Sequence, residues 1–265
     1  SEVTSVFGVD QSRGVADSDT SVTYANNNTV TIKGSNVTNA AAVNTTSINA
    51  SGNTLNLEDS TIGNGAVYAV NMGLNRSAVT GNPVAATVGS NTLNLSKMTG
   101  TFSEMGASLN LVGTSSNNVL TTKDSTLTLT NNTGNFFGET LDITSLSDHD
   151  LLQNLDTTKG YLFGGASMTY TSQTGTGTEA PEAKQIAIGG TNSDNNALAF
   201  SGGSVTANIF GGFTAYIDEI DYTVTGEDGS TTTTVKNGLT VTTTSSAPDA
   251  EPTEPEVREQ IDDVY

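Results

Sequence analysis

Only one histidine occurs in 265 residues, His149, and it lies between two acids in Ser147-Asp148-His149-Asp150. A serine hydrolase needs an imidazole base, so any such chemistry in this chain would have to run through His149. No Gly-x-Ser-x-Gly elbow accompanies it, and its surroundings read as a solvated loop. Structural zinc sites take several His or Cys ligands, and a chain with one His and no Cys cannot supply them. Carboxylates are plentiful, with 28 Asp and Glu, but a glycosidase needs two of them at a defined separation on one face. The adjacent candidates are Glu58/Asp59 and Asp218/Glu219/Asp221. Consecutive strand residues point to opposite faces, so these read as solubilising surface acids. Asp218, Glu219, Asp221, Glu227 and Asp228 could offer oxygens to a weak Ca2+, which takes about six to eight. Neither an Asp-x-Asp-x-Asp-Gly loop nor a Gly-Gly-x-Gly-x-Asp nonapeptide is present. The expectation is no catalytic, cofactor-binding or metal residue, with weak Ca2+ the one cofactor left open.

The basic residues are as informative. Arg13, Lys33, Arg76, Lys97, Lys123, Lys159, Lys184, Lys236 and Arg258 are scattered, whereas a cleft for acidic polysaccharide would cluster them. The formal net charge of −19 repels phosphate backbones and anionic lipid, which argues against a nucleic-acid partner. No run of about 18 apolar residues exists, so no helix of this chain is expected to span a membrane. Charged residues make up 14% and apolar ones 34%, with no Trp. Thr, Ser, Asn and Gly fill the remaining positions, which favours short strands, many turns and a slender core. Without cysteines, stability has to come from a long hydrogen-bond ladder rather than from disulfides. The start at Ser1, with neither Met nor a signal-peptide pattern, leads us to expect a processed or excised segment.

The elements that would hold any site recur along the chain. The form Asn-x-apolar-x-apolar appears as NTVTI (28–32), NTLNL (53–57), NTLNL again (91–95), STLTL (125–129) and NALAF (196–200). Strict alternation marks half-buried strands with one apolar face. A second element follows each, carrying in turn Ala40-Ala41-Ala42-Val43, Tyr68, Phe102, Phe136-Phe137-Gly138 and Ile209-Phe210-Gly211-Gly212. Leu162-Phe163-Gly164-Gly165 repeats the order, and Phe7-Gly8 opens the chain with an orphan copy. Self-similarity at this period indicates a solenoid whose coils bury a continuous core only by stacking. The spacing predicts an all-β parallel β-helix of about six or seven coils. Leu55, Leu57, Leu93, Leu95, Leu127, Leu129, Phe137, Phe163, Leu198, Phe200 and Phe210 are expected to point inward. The glycines after each Phe are expected at corners, where the backbone is left-handed or too closely packed for a Cβ.

The unit NNALAFSGGSVTANIFGG (195–212) resembles the repeat of autotransporter passenger domains, the type V secreted proteins of Gram-negative bacteria. Looser copies extend over roughly residues 5–245. The resemblance implies a right-handed parallel β-helix exported to the cell surface or released outside a Gram-negative bacterium. The family's C-terminal translocating barrel is not in this chain.

The domain expected is therefore 1–246, with insertions at 145–159 (a short helix or lid carrying Leu151, Leu152 and Leu155) and 171–185 (a Gly/Thr/Pro loop). Residues 247–265 hold three of the five prolines and seven carboxylates against one arginine, and read as an extended acidic linker. The function expected is non-catalytic: adhesion, self-association or a structural stalk, engaging a host or bacterial surface protein or glycan, or further copies. The alternatives are a β-helix polysaccharide lyase or hydrolase and an ice-binding solenoid. TLTLT and STTTTV hint at the last, though the sequence shows no Thr-x-Thr stack at constant spacing.

Overall fold

The computed structural model describes residues 1–11, 24–45, 49–72, 86–110, 113–131, 135–136, 139–140, 156, 158–177, 193–225 and 228–244. Among them are strands and turns but no helix. The chain opens with β1 (Glu2–Gln11), and the first full coil is β2 (Tyr24–Asn26), β3 (Thr29–Lys33) and β4 (Asn36–Thr45). The second is β5 (Asn49–Ser51), β6 (Thr54–Glu58), β7 (Thr61–Gly63) and β8 (Ala66–Met72). The third is β9 (Ala86–Gly89), β10 (Thr92–Ser96), β11 (Thr99–Phe102) and β12 (Glu104–Asn110). In the fourth, β13 (Gly113–Ser116) leads into β14 (Val119–Leu129), which bends round a corner to serve two faces. A small antiparallel hairpin, β15 (Asn135–Phe136) and β16 (Glu139–Thr140), precedes β17 (Tyr161–Gly177). The fifth coil is β18 (Ala197–Thr206) and β19 (Asn208–Thr225), and β20 (Thr231–Thr244) follows.

Apart from β15–β16 and β19–β20, the strand pairs are parallel, and each strand stacks on its counterpart in the next coil. This is a parallel β-helix. The long face carries six parallel rungs, β1–β4–β8–β12–β17–β19, and the face of β3, β6, β10, β14 and β18 carries five.

Register explains the core. Val30, Leu55, Leu93, Leu120 and Leu198 form one column, and Ile32, Leu57, Leu95, Thr122 and Phe200 another. Leu55, Leu57, Leu93, Leu95, Leu127 and Leu129 are fully buried as expected, and Phe163 is fully buried but outside the main core cluster. Leu198 and Phe210 are half-buried, and Phe200 is 45% exposed, with no further coil over it among the described residues. Phe137 lies outside the described residues. The fourth copy of the first element is Asn118-Val119-Leu120-Thr121-Thr122, not STLTL. Residues 126–129 of STLTL instead stack on β11, putting Leu129 beside Phe102.

The aromatic positions need a further correction. Phe7, Ala41, Tyr68, Gly106, Phe163 and Phe210 share a register column. Their neighbours Val67, Ala69, Met105, Ala107 and Leu162 belong to the main core. Alternation therefore turns Tyr68 and Phe163 to the opposite side of the long sheet, although both are fully buried. Leu162 before Phe163 fills the core and Val6 before Phe7 packs against it, whereas Ile209 before Phe210 is 45% exposed. The two rings approach to 5.7 Å across Gly106, where a Cβ would lie 2.3 Å from the Phe163 ring. Close packing also explains the glycine after Phe163: a Cβ on Gly164 would sit 2.6 Å from the Gly211 carbonyl oxygen.

The left-handed backbone occurs elsewhere, at two stacked corners. Asn27, Gly52, Ser90, Asn117 and Asn195 have positive φ before the β3 face, and Gly34, Asp59, Lys97, Asp124 and Gly202 have positive φ after its first half. Phe136 is in the small hairpin outside the parallel stack. The stretch expected as a loop at 171–185 continues β17 as far as Gly177, paired with β19. Of the expected helix at 145–159, only Asp156 and residues 158–159 are described, and they form a turn. The tail 247–265 lies outside the described residues.

Candidate functional site

Behind the first corner stands a ladder of side-chain amides. Asn28 Nδ2 donates to Asn53 Oδ1 at 2.9 Å, Asn53 to Asn91 at 3.0 Å, Asn91 to Asn118 at 3.0 Å and Asn118 to Asn196 at 3.0 Å. Each receiving Oδ1 also accepts the backbone N–H of the Asn before it. The second amide hydrogen goes to a corner acceptor: Ala25 O for Asn53, Ala50 O for Asn91 and Ser115 Oγ for Asn118. These amides are buried from Asn53 onward, and hydrogen bonds are what make such burial tolerable. Separations of 25, 38, 27 and 78 residues between successive Asn show how loops of different length return to one register.

The ladder fixes the strands whose outer faces meet solvent. On the β3 face the outward positions Thr31, Asn56, Asn94 and Thr121 form a second chain of side-chain hydrogen bonds, at 3.3, 2.9 and 2.7 Å. Beside it run Lys33, Glu58, Ser96 and Lys123, where Lys33 Nζ meets Glu58 Oε1 at 3.0 Å. The Glu58 carboxylate, through that hydrogen bond and its charge, raises the Lys33 pKa. Round the second corner lie two exposed columns: Thr61, Thr99, Thr126, Ser204, which register continues back to Asn36 and Glu2, and Gly63, Thr101, Thr128, Thr206. Strands stack at about 4.8 Å and alternate residues lie about 6.6 Å apart, so six Thr and Ser204 make a two-dimensional lattice of hydroxyls, interrupted at Gly63. None of the eight is charged. The stack absent from sequence spacing is created by register.

The sequence candidates are not brought together. Glu58 is engaged by Lys33, and Asp59 occupies a left-handed corner. Asp218, Glu219 and Asp221 fall in β19, opposite Gly238, Asn237 and Val235 of β20. The Asp228 carboxylate caps the β19–β20 turn by accepting the Ser230 hydroxyl and amide, which lowers its pKa. Among the described residues no group of three or more His, Asp or Glu could hold a metal. His149, Asp148, Asp150 and Glu227 lie outside the described residues, as do Arg13, Arg76, Lys184 and Arg258. Of the basic residues described, Lys33 and Lys123 share one register column, and Lys159 pairs with Asp156 at 3.1 Å. Hydrogen bonds from Thr158 and then Lys159 hold the Asp156 carboxyl down to about 2.

One ionisable pair escaped the sequence reading. The Tyr68 hydroxyl is fully buried without a well-directed hydrogen bond, and it faces the carboxyl of Glu104. Burial pushes Glu104 above the usual carboxylate range and, with the Glu104 charge, pushes Tyr68 well up. Tyr161, whose hydroxyl accepts from Asn131 Nδ2 at 3.3 Å, is raised by burial as well. The available signal was alternation: positions 104, 106 and 108 share a face with Tyr68 across the register. No protein-family model, curated protein or solved structure matches this chain.

Proposed function

We propose that this chain is a non-catalytic β-solenoid of a Gram-negative surface or secreted protein, of autotransporter-passenger type, that works by presentation: adhesion, self-association or service as a stalk. The two-column lattice at 61–63, 99–101, 126–128 and 204–206 supports this reading. It repeats one weak uncharged contact over four coils, which suits multivalent engagement of a glycan or protein surface. Beads carrying the chain at high density should be retained on cell or glycan surfaces at least tenfold longer than beads carrying Thr101→Glu/Thr128→Glu, whose charges break the lattice. Equal retention removes this face from the function. Turnover of an acidic polysaccharide that disappears with Asp218→Asn or Glu219→Gln replaces the reading with the β-helix enzyme.

The same lattice supports a second reading, adsorption to ice, because it sets uncharged Thr side chains in ranks about 4.8 Å and about 6.6 Å apart. Thermal hysteresis that is lost in Thr101→Tyr/Thr128→Tyr but kept in Thr31→Tyr would favour ice. No hysteresis in the unaltered chain dismisses it.

A further inference from the structure

The two ends of the solenoid differ. At the N-terminal end β1 lies against the core through Val6 and Val9, and Ile32 is 8% exposed, Ala25 5% and Val37 2%, while Val30 is half-buried and Tyr24 66% exposed. At the C-terminal end Phe200 and Ile209 are each 45% exposed, and Leu198, Val205 and Ala207 are only partly buried. Among the described residues β18 pairs with β14 alone, so its outer edge carries unpaired backbone groups. Its segment Ala197–Thr206 contains neither charge nor proline, the usual guards of an exposed edge.

The columns specify what would fit there. A further strand in parallel register would need an Asn beside Asn196 and apolar residues beside Leu198 and Phe200. The chain places that pattern at its own N-terminal edge, where Asn28, Val30 and Ile32 already belong to these columns. Ladder polarity agrees. Asn28, Asn53, Asn91 and Asn118 each donate the backbone N–H to the next ladder Asn Oδ1, so Asn196 N–H of one copy faces Asn28 Oδ1 of the next.

Such stacking is obstructed on the long face. There β20 folds back antiparallel over β19, filling the position that β4 of an incoming copy would take. At the other end β1 covers β4, filling the position that β19 of the preceding copy would take. We infer that β1 and β20 are end caps that prevent head-to-tail polymerisation, and that the partner fitted by the β18 edge is the β2–β3 edge of a second copy. Head-to-tail stacking of strand on strand continues along the solenoid and does not return to its start, so the uncapped product is an open filament. The inference concerns the ends rather than the presented lattice, and its test is independent of the bead experiment.

Two full-length variants decide it. Val241→Pro/Thr242→Pro removes ladder bonds from β20, since adjacent residues of an antiparallel strand alternate in bonding. Val6→Pro/Phe7→Pro does the same to β1. Each variant frees one end, so each alone should stay monomeric. An equimolar mixture should double in mass to a 1:1 dimer in sedimentation, and Phe200→Asp in the β20 variant should abolish the dimer. One chain carrying both pairs of prolines should form filaments that lengthen with concentration. If prolines unfold the β20 variant, Asn237→Glu/Gly238→Asp releases it instead by placing like charges opposite Glu219 and Asp218. A mixture that stays monomeric while both components keep slow amide exchange in β6 and β10 overturns the proposal. So does self-association of either component alone, or a dimer indifferent to Phe200→Asp.

Discussion

Asn91 accepts from Asn53 twice and donates to Asn118 and Ala50, so its amide serves three coils. Replacing it with Ala strands the Asn53 donors in a buried corner, at about 1–3 kcal/mol for each unsatisfied group. Asn28→Ala removes a single donor, and Asn53 Oδ1 still accepts the backbone N–H of residue 28. That loss should cost about 1 kcal/mol. Urea midpoints of the two variants should therefore differ clearly, and equal midpoints would show that the ladder is incidental. Glu104 carries a prediction of opposite sign. Its folded pKa lies above the ordinary 4.5, so between the two values the folded chain keeps a proton that the unfolded chain has lost. The contribution of this carboxyl is intact below about pH 4.5 and falls as pH rises through the folded pKa. Glu104→Gln should raise the melting temperature at pH 7, by about 2–4 °C per kcal/mol relieved, and change it little at pH 4. Equal effects at both pH values would place the penalty in packing rather than in charge.

Whole elements were legible where alternation was clean. NTLNL at 53–57 and 91–95 became β6 and β10, in register residue by residue. The fourth rung was hidden because Thr122 stands in an apolar column, while STLTL imitates the motif from the neighbouring face. The corners were hidden for a different reason. A left-handed position is occupied by Gly, Asp, Lys or Gly-like Asn in different coils, so what repeats is a backbone angle rather than a residue type. Strand direction was equally silent: β20 has the Thr-rich alternation of its parallel neighbours and runs the other way. The exposed lattice went unread because insertions between coils destroy constant spacing. Gly106 offers a test at this scale. Gly106→Ala should destabilise by about 1–3 kcal/mol, because its Cβ meets the Phe163 ring. In the double variant with Phe163→Leu the cost should be less than additive. Strict additivity would mean that the ring is not what excludes the methyl.

At the scale of the molecule, each coil touches chiefly its neighbours, so stability is a sum of rungs and interfaces. Amide exchange should be slowest in β6 and β10, which have coils on both sides, and faster in β3 and β18, each paired on one side only among the described residues. Uniform protection along the solenoid would refute that gradient. The −19 charge adds a global term: salt at about 0.15 M shortens the screening length to roughly 8 Å and should raise the melting temperature over that in dilute buffer.

The amide ladder also gives the solenoid an arrow. Every link donates toward the C-terminus, so any partly assembled stack exposes orphan N–H groups at its C-terminal side and spare acceptors at its N-terminal side. Unpaired donors are the less tolerated of the two. Among the described residues the last rung satisfies its side-chain donors, because Asn196 Nδ2 donates to Ser193 Oγ at 3.0 Å and to Ser115 O at 2.8 Å. A nucleus containing Asn196 thus has its side-chain donors satisfied from the outset, whereas one built from the first coils does not. Order should consequently spread from the fifth coil back toward the first, a vectorial zippering written into the orientation of five side chains.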